Sequence, residues 1–156
     1  MNTNLLLAQY SLVGILGLDN LHPEEKEKIN NQATEAALKN ALIKLRQEKQ
    51  ISEEQFDRML QTESEEIQET LIHHIPNFKE IYSDEIIKIK KAALLAQIQD
   101  LMNFSKTKVM NQELIEKIEV VCTNMTILLN QEDIKEEDQR IFDIYYKLRN
   151  SLDFNK

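Results

Sequence analysis

"LVGILGLDNLHPEEK", residues 12–26, holds both glycines of the 156-residue chain, Gly14 and Gly17, and one of its two prolines, Pro23. Reading this stretch as a joint between two helix ends decides the fold. A helix ending near Leu16 can close in a Schellman cap with Gly17 in the left-handed position, which brings Leu18 to Val13. Pro23 is pre-set for a first helical position, and Glu24 and Glu25 then sit at the positive end of the helix dipole. His22 becomes an unusual N-cap, and Lys26 leaves the hydrophobic staple incomplete.

Glycine scarcity extends this reading to the whole chain. At the average usage of about 7%, roughly eleven glycines belong in a chain of this length, whereas two are present. Hairpins and barrels rely on glycine for the positive φ of their turns. The class expected is therefore all-α. With 42% apolar and 29% charged residues, the chain can bury a core without disulfides or metal. Cys122, the only cysteine, lies in the apolar run "IEVVCTNM" and reads as a small buried hydrophobe, not a reactive thiol. Nothing implies an oxidising compartment, and the expected location is cytoplasmic.

No charged residue occurs before Asp19. The run nevertheless lacks a cationic start and a cleavage site, its apolar stretches fall short of a membrane span, and it has no basic polar face for surface anchoring. No membrane insertion is expected. The segment reads as one helix, about Asn4 to Leu16, that folds back beside the second helix and its alanines. Leu5, Leu6, Leu12 and Leu16 form its apolar surface, available to the same chain, to a protein partner or to a second copy.

Capping signals and 3.6-residue periodicity place six or seven helices in all. The second runs from Pro23 to about Lys49 and carries Ala33, Ala36, Ala37 and Ala41, with Leu38, Leu42 and Leu45. Ser52 with Gln55 and Thr62 with Glu65 read as capping boxes. Pro76 breaks the chain, and Ser83 with Asp84 and Glu85 opens a long helix to about Phe104. Two more span about Gln112–Asn130 and Ile134–Leu152, the last with Asp133 and Glu136 as a capping box and Ile141, Tyr145, Leu148 and Leu152 as its buried stripe. Short loops make the three long C-terminal helices an expected antiparallel bundle. The expected division is an N-terminal module of shorter helices, residues 1–80, and a C-terminal bundle, residues 81–156.

The succession of "LVGILGL", a short polar link, "HPEEK", a long helix, "ISEEQFDRML" and "IPNF" resembles an uncharacterised helical domain-of-unknown-function family of small-genome bacteria. The resemblance covers residues 12–89. It implies a small helical cytosolic module and carries over no activity and no site residue.

Chemical motifs are sparse. Glu69 and His73 share a helix face, but a metal site needs three or four ligands, and adjacent His73 and His74 point about 100° apart. Glu-x-x-His, the signature of bundle di-iron sites, does not occur. No glycine loop for phosphate, no G-x-S-x-G and no Cys/His pairing is present. Neither a metal nor a cofactor is expected, and no residue is assigned to catalysis.

The charge of −8 is unevenly placed. Glu53, Glu54, Asp57, Glu63, Glu65, Glu66 and Glu69 stand against Arg58 alone, whereas Lys88, Lys90, Lys91, Lys106 and Lys108 stand against Asp100. The lysines lack arginine and interleaved aromatics, so nucleic acid is not an expected partner. These features point to a non-enzymatic interaction or assembly protein that binds a protein partner or itself through helix faces. The competing expectation is a ligand-binding bundle or small enzyme whose pocket the sequence does not reveal.

Overall fold

The structure, a computed structural model, describes residues 3–18, 20–107, 111–131 and 134–152. Its regular elements are α1 (Thr3–Ala8), α2 (Leu12–Ile15), α3 (Pro23–Gln47), α4 (Glu53–Met59), α5 (Ser64–His74), α6 (Phe78–Thr107), α7 (Gln112–Leu129), a 3-10 turn (Glu136–Asp138) and α8 (Gln139–Ser151). No strand occurs among the described residues. The fold is all-α, with eight α-helices in the described residues where six or seven were expected.

The added helix comes from Ser11. Its backbone is extended, and its hydroxyl accepts from the Gly14 amide at 3.0 Å, so it caps α2 instead of continuing α1. Serine competes for backbone groups in this way because its short side chain can reach an amide three residues on. The C-terminus of α2 follows the expected pattern: Gly17 has φ 71°, its amide donates to the Gly14 carbonyl, and the Leu18 amide donates to the Val13 carbonyl. Pro23 opens α3 behind His22, which provides no side-chain cap.

The other end of α3 shows the same cap without a glycine. Lys49 has φ 60°, its amide donates to the Arg46 carbonyl, and the Gln50 amide donates to the Leu45 carbonyl. A Cβ in this conformation costs on the order of 1–2 kcal/mol. Lys49→Gly is therefore expected to stabilise the protein by about 0.5–1 kcal/mol, a modest gain because glycine also loosens the unfolded chain. Chemical denaturation checks it. An unchanged or lowered midpoint would mean that Lys49 bears no strain.

One expected capping box and one expected helix start are corrected. Ser52 and Gln55 do form theirs, at 3.1 and 2.9 Å. Thr62 does not: its hydroxyl donates to the Arg58 carbonyl at 3.0 Å, and Glu63 takes the N-cap of α5 without a side-chain bond. Ser83 lies inside α6, because the break at Pro76 lasts only until Phe78. Asp133, expected to cap the last helix, lies outside the described residues.

The chain divides into two compact units, one of residues 21–89 and one joining 1–20 to 90–156. The expected division at 80/81 falls within the first turn of α6. In the unit of residues 21–89, α3 packs on α4 and α5, and the core gathers Leu38, Ala41, Leu42 and Leu45 with Phe56, Ile67, Leu71, Phe78 and Ile81. Arg46 lies 4.0 Å over the Phe56 ring and 3.8 Å from the Glu53 carboxylate, tying the end of α3 to α4. In the other unit α7 packs on α8. Its buried residues include Leu94, Ile98 and Leu101 of α6, Ile118, Cys122 and Met125 of α7, and Phe142, Tyr145 and Leu148 of α8. The stripe of α8 is thus rotated from the expected one: Phe142 and Arg149 are buried, whereas Ile141 and Leu152 are only partly so.

Candidate functional site

The uncharged N-terminal segment is docked on its own chain. Leu6, Leu7 and Ile15 are fully buried and Val13 nearly so. Tyr10, freed by the kink at Ser11, stacks on Phe142 and Tyr146 with ring centroids 5.7 and 5.1 Å away. Those two rings lie four residues apart on α8 and so share one face. Beside them Arg149, 3% exposed, donates to the Gly14 carbonyl at 2.9 Å and also to the Ile15 carbonyl. Its guanidinium lies 4.7 Å over the Tyr146 ring. A cation at the C-terminal carbonyls of a helix meets the negative end of the dipole. The expected partner surface is correspondingly occupied: Leu6 is fully buried, Leu12 and Leu16 are half-buried, and the Leu5 side chain lies outside the described residues. Stacking and hydrogen-bonding partners of the segment lie on α8.

Burial also silences the ionisable groups behind this segment. It pushes the Cys122 thiol up to about 11 and the Tyr145 phenol up to about 12, the latter despite the opposing charge of Arg149, and it raises Tyr10. Each raised value means that the folded state holds its proton more tightly than the unfolded chain. Stability from Cys122 is therefore complete below pH about 9 and from Tyr145 below about 10, and it is lost as pH rises towards 11 and 12. Each contributes on the order of 2–3 kcal/mol at most. Alkaline titration is expected to show cooperative unfolding with simultaneous tyrosinate absorbance between pH about 10 and 12. Normal, non-cooperative tyrosine titration with retained helix would contradict it.

A surface feature of another kind lies within residues 21–89. A cleft of about 730 Å³ runs along α3 at Asn31, Thr34, Glu35, Leu38, Lys39 and Leu42. This i, i+3, i+4, i+7 spacing is one face of a helix over about three turns, or about 16 Å. The opposite wall is the turn from α4 into α5, with Met59, Leu60, Ile67 and the polar run Thr62–Glu65. Leu38, Leu42 and Ile67 at its base are almost fully buried, the rest of the lining is largely polar, and Leu60 stands out as an exposed apolar side chain, 47% exposed. Glu35, Lys39, Glu63 and Glu65 stand exposed on the rim. Burial along α3 begins at Ala37, so Asn31, Thr34 and Glu35 line the cleft from the less buried N-terminal part of the helix. The sequence reading missed it, although Leu60 beside Met59 in "DRMLQT" was its visible signal.

No His, Cys or Tyr lines this cleft. A second cleft, about 480 Å³, lies at the α3–α4 turn, where Arg46 is already engaged by Phe56 and Glu53. Among the described residues no group of three His, Cys, Asp or Glu side chains could hold a metal ion, and His73 and His74 are exposed. No described helix is long and apolar enough to cross a membrane. Compared with family models, curated proteins and solved structures, the chain matches none of them.

Proposed function

We propose that the protein is a non-enzymatic helical interaction protein that binds a protein partner through helix faces, with the α3 cleft as the recognition surface. The observation that carries this reading is a half-exposed leucine, Leu60, in an open cleft whose other accessible lining is largely polar. An exposed leucine in an open cleft gives a partner an apolar anchor, whereas a catalytic site needs convergent ionisable groups in a sheltered pocket. The rim provides carboxylates and one lysine that face water. The C-terminal part of α6 with α7 and α8, read as an antiparallel three-helix bundle, is the scaffold of the other unit, and the N-terminal leucines serve that scaffold. The resemblance over residues 12–89 adds no activity to this reading.

The test is affinity capture from native cells with intact protein and with Leu60→Asp as parallel baits. A protein retained by the first and lost with the second, at equal helix content and thermal midpoint, supports the reading. Identical captures with both baits would remove the cleft from it.

A further inference from the structure

From Val120 to Gln131 the chain has no charged residue, although at the overall 29% a stretch of this length would hold about three or four. One side of α7 has its reason: Val121, Cys122, Met125, Leu128 and Leu129 are buried in the core. The opposite side faces water. Val120 and Ile127, 58% and 54% exposed, are the most exposed large apolar side chains among the described residues, and Thr123 and Asn124 stand exposed between them. Their i, i+3, i+4, i+7 spacing makes these four residues one stripe. A solvated helix face normally bears charge, and a helix that lacks charge all round is normally covered all round. Beside the stripe, the Thr126 hydroxyl donates to the Cys122 carbonyl at 2.9 Å and the Asn130 side-chain amide to the Thr126 carbonyl at 3.0 Å. Covering this face therefore strands few polar groups.

The stripe is complementary to itself. Val120 and Ile127 lie at equal distances from the midpoint between Thr123 and Asn124, so a two-fold axis through that midpoint sets Val120 against the Ile127 of a second copy and brings Thr123 to Asn124. The charges agree with this pairing. Glu113, Glu116, Lys117 and Glu119, all exposed, precede the stripe. An antiparallel second copy places its uncharged Gln131 opposite Glu116, whereas a parallel one would set Glu113 and Glu116 against themselves. We infer that the outer face of α7 joins two copies of this chain, antiparallel and about a two-fold axis. One helix face on each copy is a small interface, so the dimer is weak and reversible, with a dissociation constant on the order of 0.1–1 mM. This surface belongs to the unit that holds residues 90–156 and owes nothing to the α3 cleft.

Sedimentation equilibrium of the intact chain between about 10 μM and 2 mM is expected to show monomer and dimer in exchange. Ile127→Lys is expected to weaken the dimer about tenfold or more at unchanged helix content and thermal midpoint, because the two-fold repeats each lost contact. Ile72→Lys, at a 41% exposed residue of α5, is expected to leave it unchanged. On oxidation, a mixture of Val120→Cys and Ile127→Cys chains is expected to link one to the other more than either links to itself, while the buried Cys122 stays reduced. A monomer throughout the concentration range overturns the inference. So does a dimer that ignores Ile127→Lys or is weakened equally by Ile72→Lys, and so do Val120→Cys chains that link chiefly to themselves. If Ile127→Lys lowers the helix content, the cross-linking pattern decides alone.

Discussion

Arg149→Ala is expected to lower stability by about 2–4 kcal/mol, a fall in thermal midpoint of about 5–15 °C. The size follows from what the guanidinium does. It donates to two carbonyls at the end of α2, Gly14 and Ile15, and lies over the Tyr146 ring. The Gly14 carbonyl also accepts from the Gly17 amide at 3.0 Å, so the Ile15 carbonyl loses more when the arginine is removed. A buried acceptor without a partner costs about 1–3 kcal/mol, and the lost stacking and side-chain packing add to it. Arg149→Lys is expected to recover only part of the loss, because an ammonium is a point donor that does not span two carbonyls and stack at once. A midpoint within about 1 °C of the parent for Arg149→Ala would show that water replaces the guanidinium and that the contact holds nothing.

The same residue shows where sequence reading ends. Its acceptors lie 134 and 135 residues away, and no local rule announces a pairing at that distance. Beside Leu148 in a charged C-terminal helix it looks like any solvated arginine. The cap at Gly17 was legible down to its two hydrogen bonds because the left-handed conformation nearly dictates glycine. The equivalent cap at Lys49 was not, because lysine is used everywhere and signals nothing. Thr62 and Ser83 were false caps for related reasons. Hydroxyls satisfy whichever carbonyl or amide is near, and Thr62 bonded back to Arg58 instead of forward. The helix class depended on many consistent local signals and was therefore plain. The cleft depended on how α3 and the turn from α4 into α5 come together, a property of packing that no single stretch contains.

Removing residues 1–16 is expected to be the most damaging change, because it takes away Leu6, Leu7, Tyr10, Val13 and Ile15 together and leaves Arg149 without the α2 carbonyls. Burying one such apolar side chain contributes about 1.5–3 kcal/mol. Even after discounting for partial burial in the unfolded chain, four of them approach the whole stability of a domain, about 5–15 kcal/mol. Neither α1 nor α2 is long enough to hold its shape alone in water, so the segment and the face of α8 it covers stand or fall as one. The truncated chain is expected to lose the cooperative thermal transition of the unit formed by residues 90–156, to lose near-ultraviolet tyrosine dichroism and to bind a hydrophobic dye. Tyr10→Ala gives a graded version, losing about 2–4 kcal/mol through two ring stacks and the cavity between them. The opposite outcome is equally concrete. If the truncated chain keeps its thermal midpoint while light scattering shows a dimer becoming a monomer, the segment is an interface between copies, and its docking against α8 contributes nothing to folding.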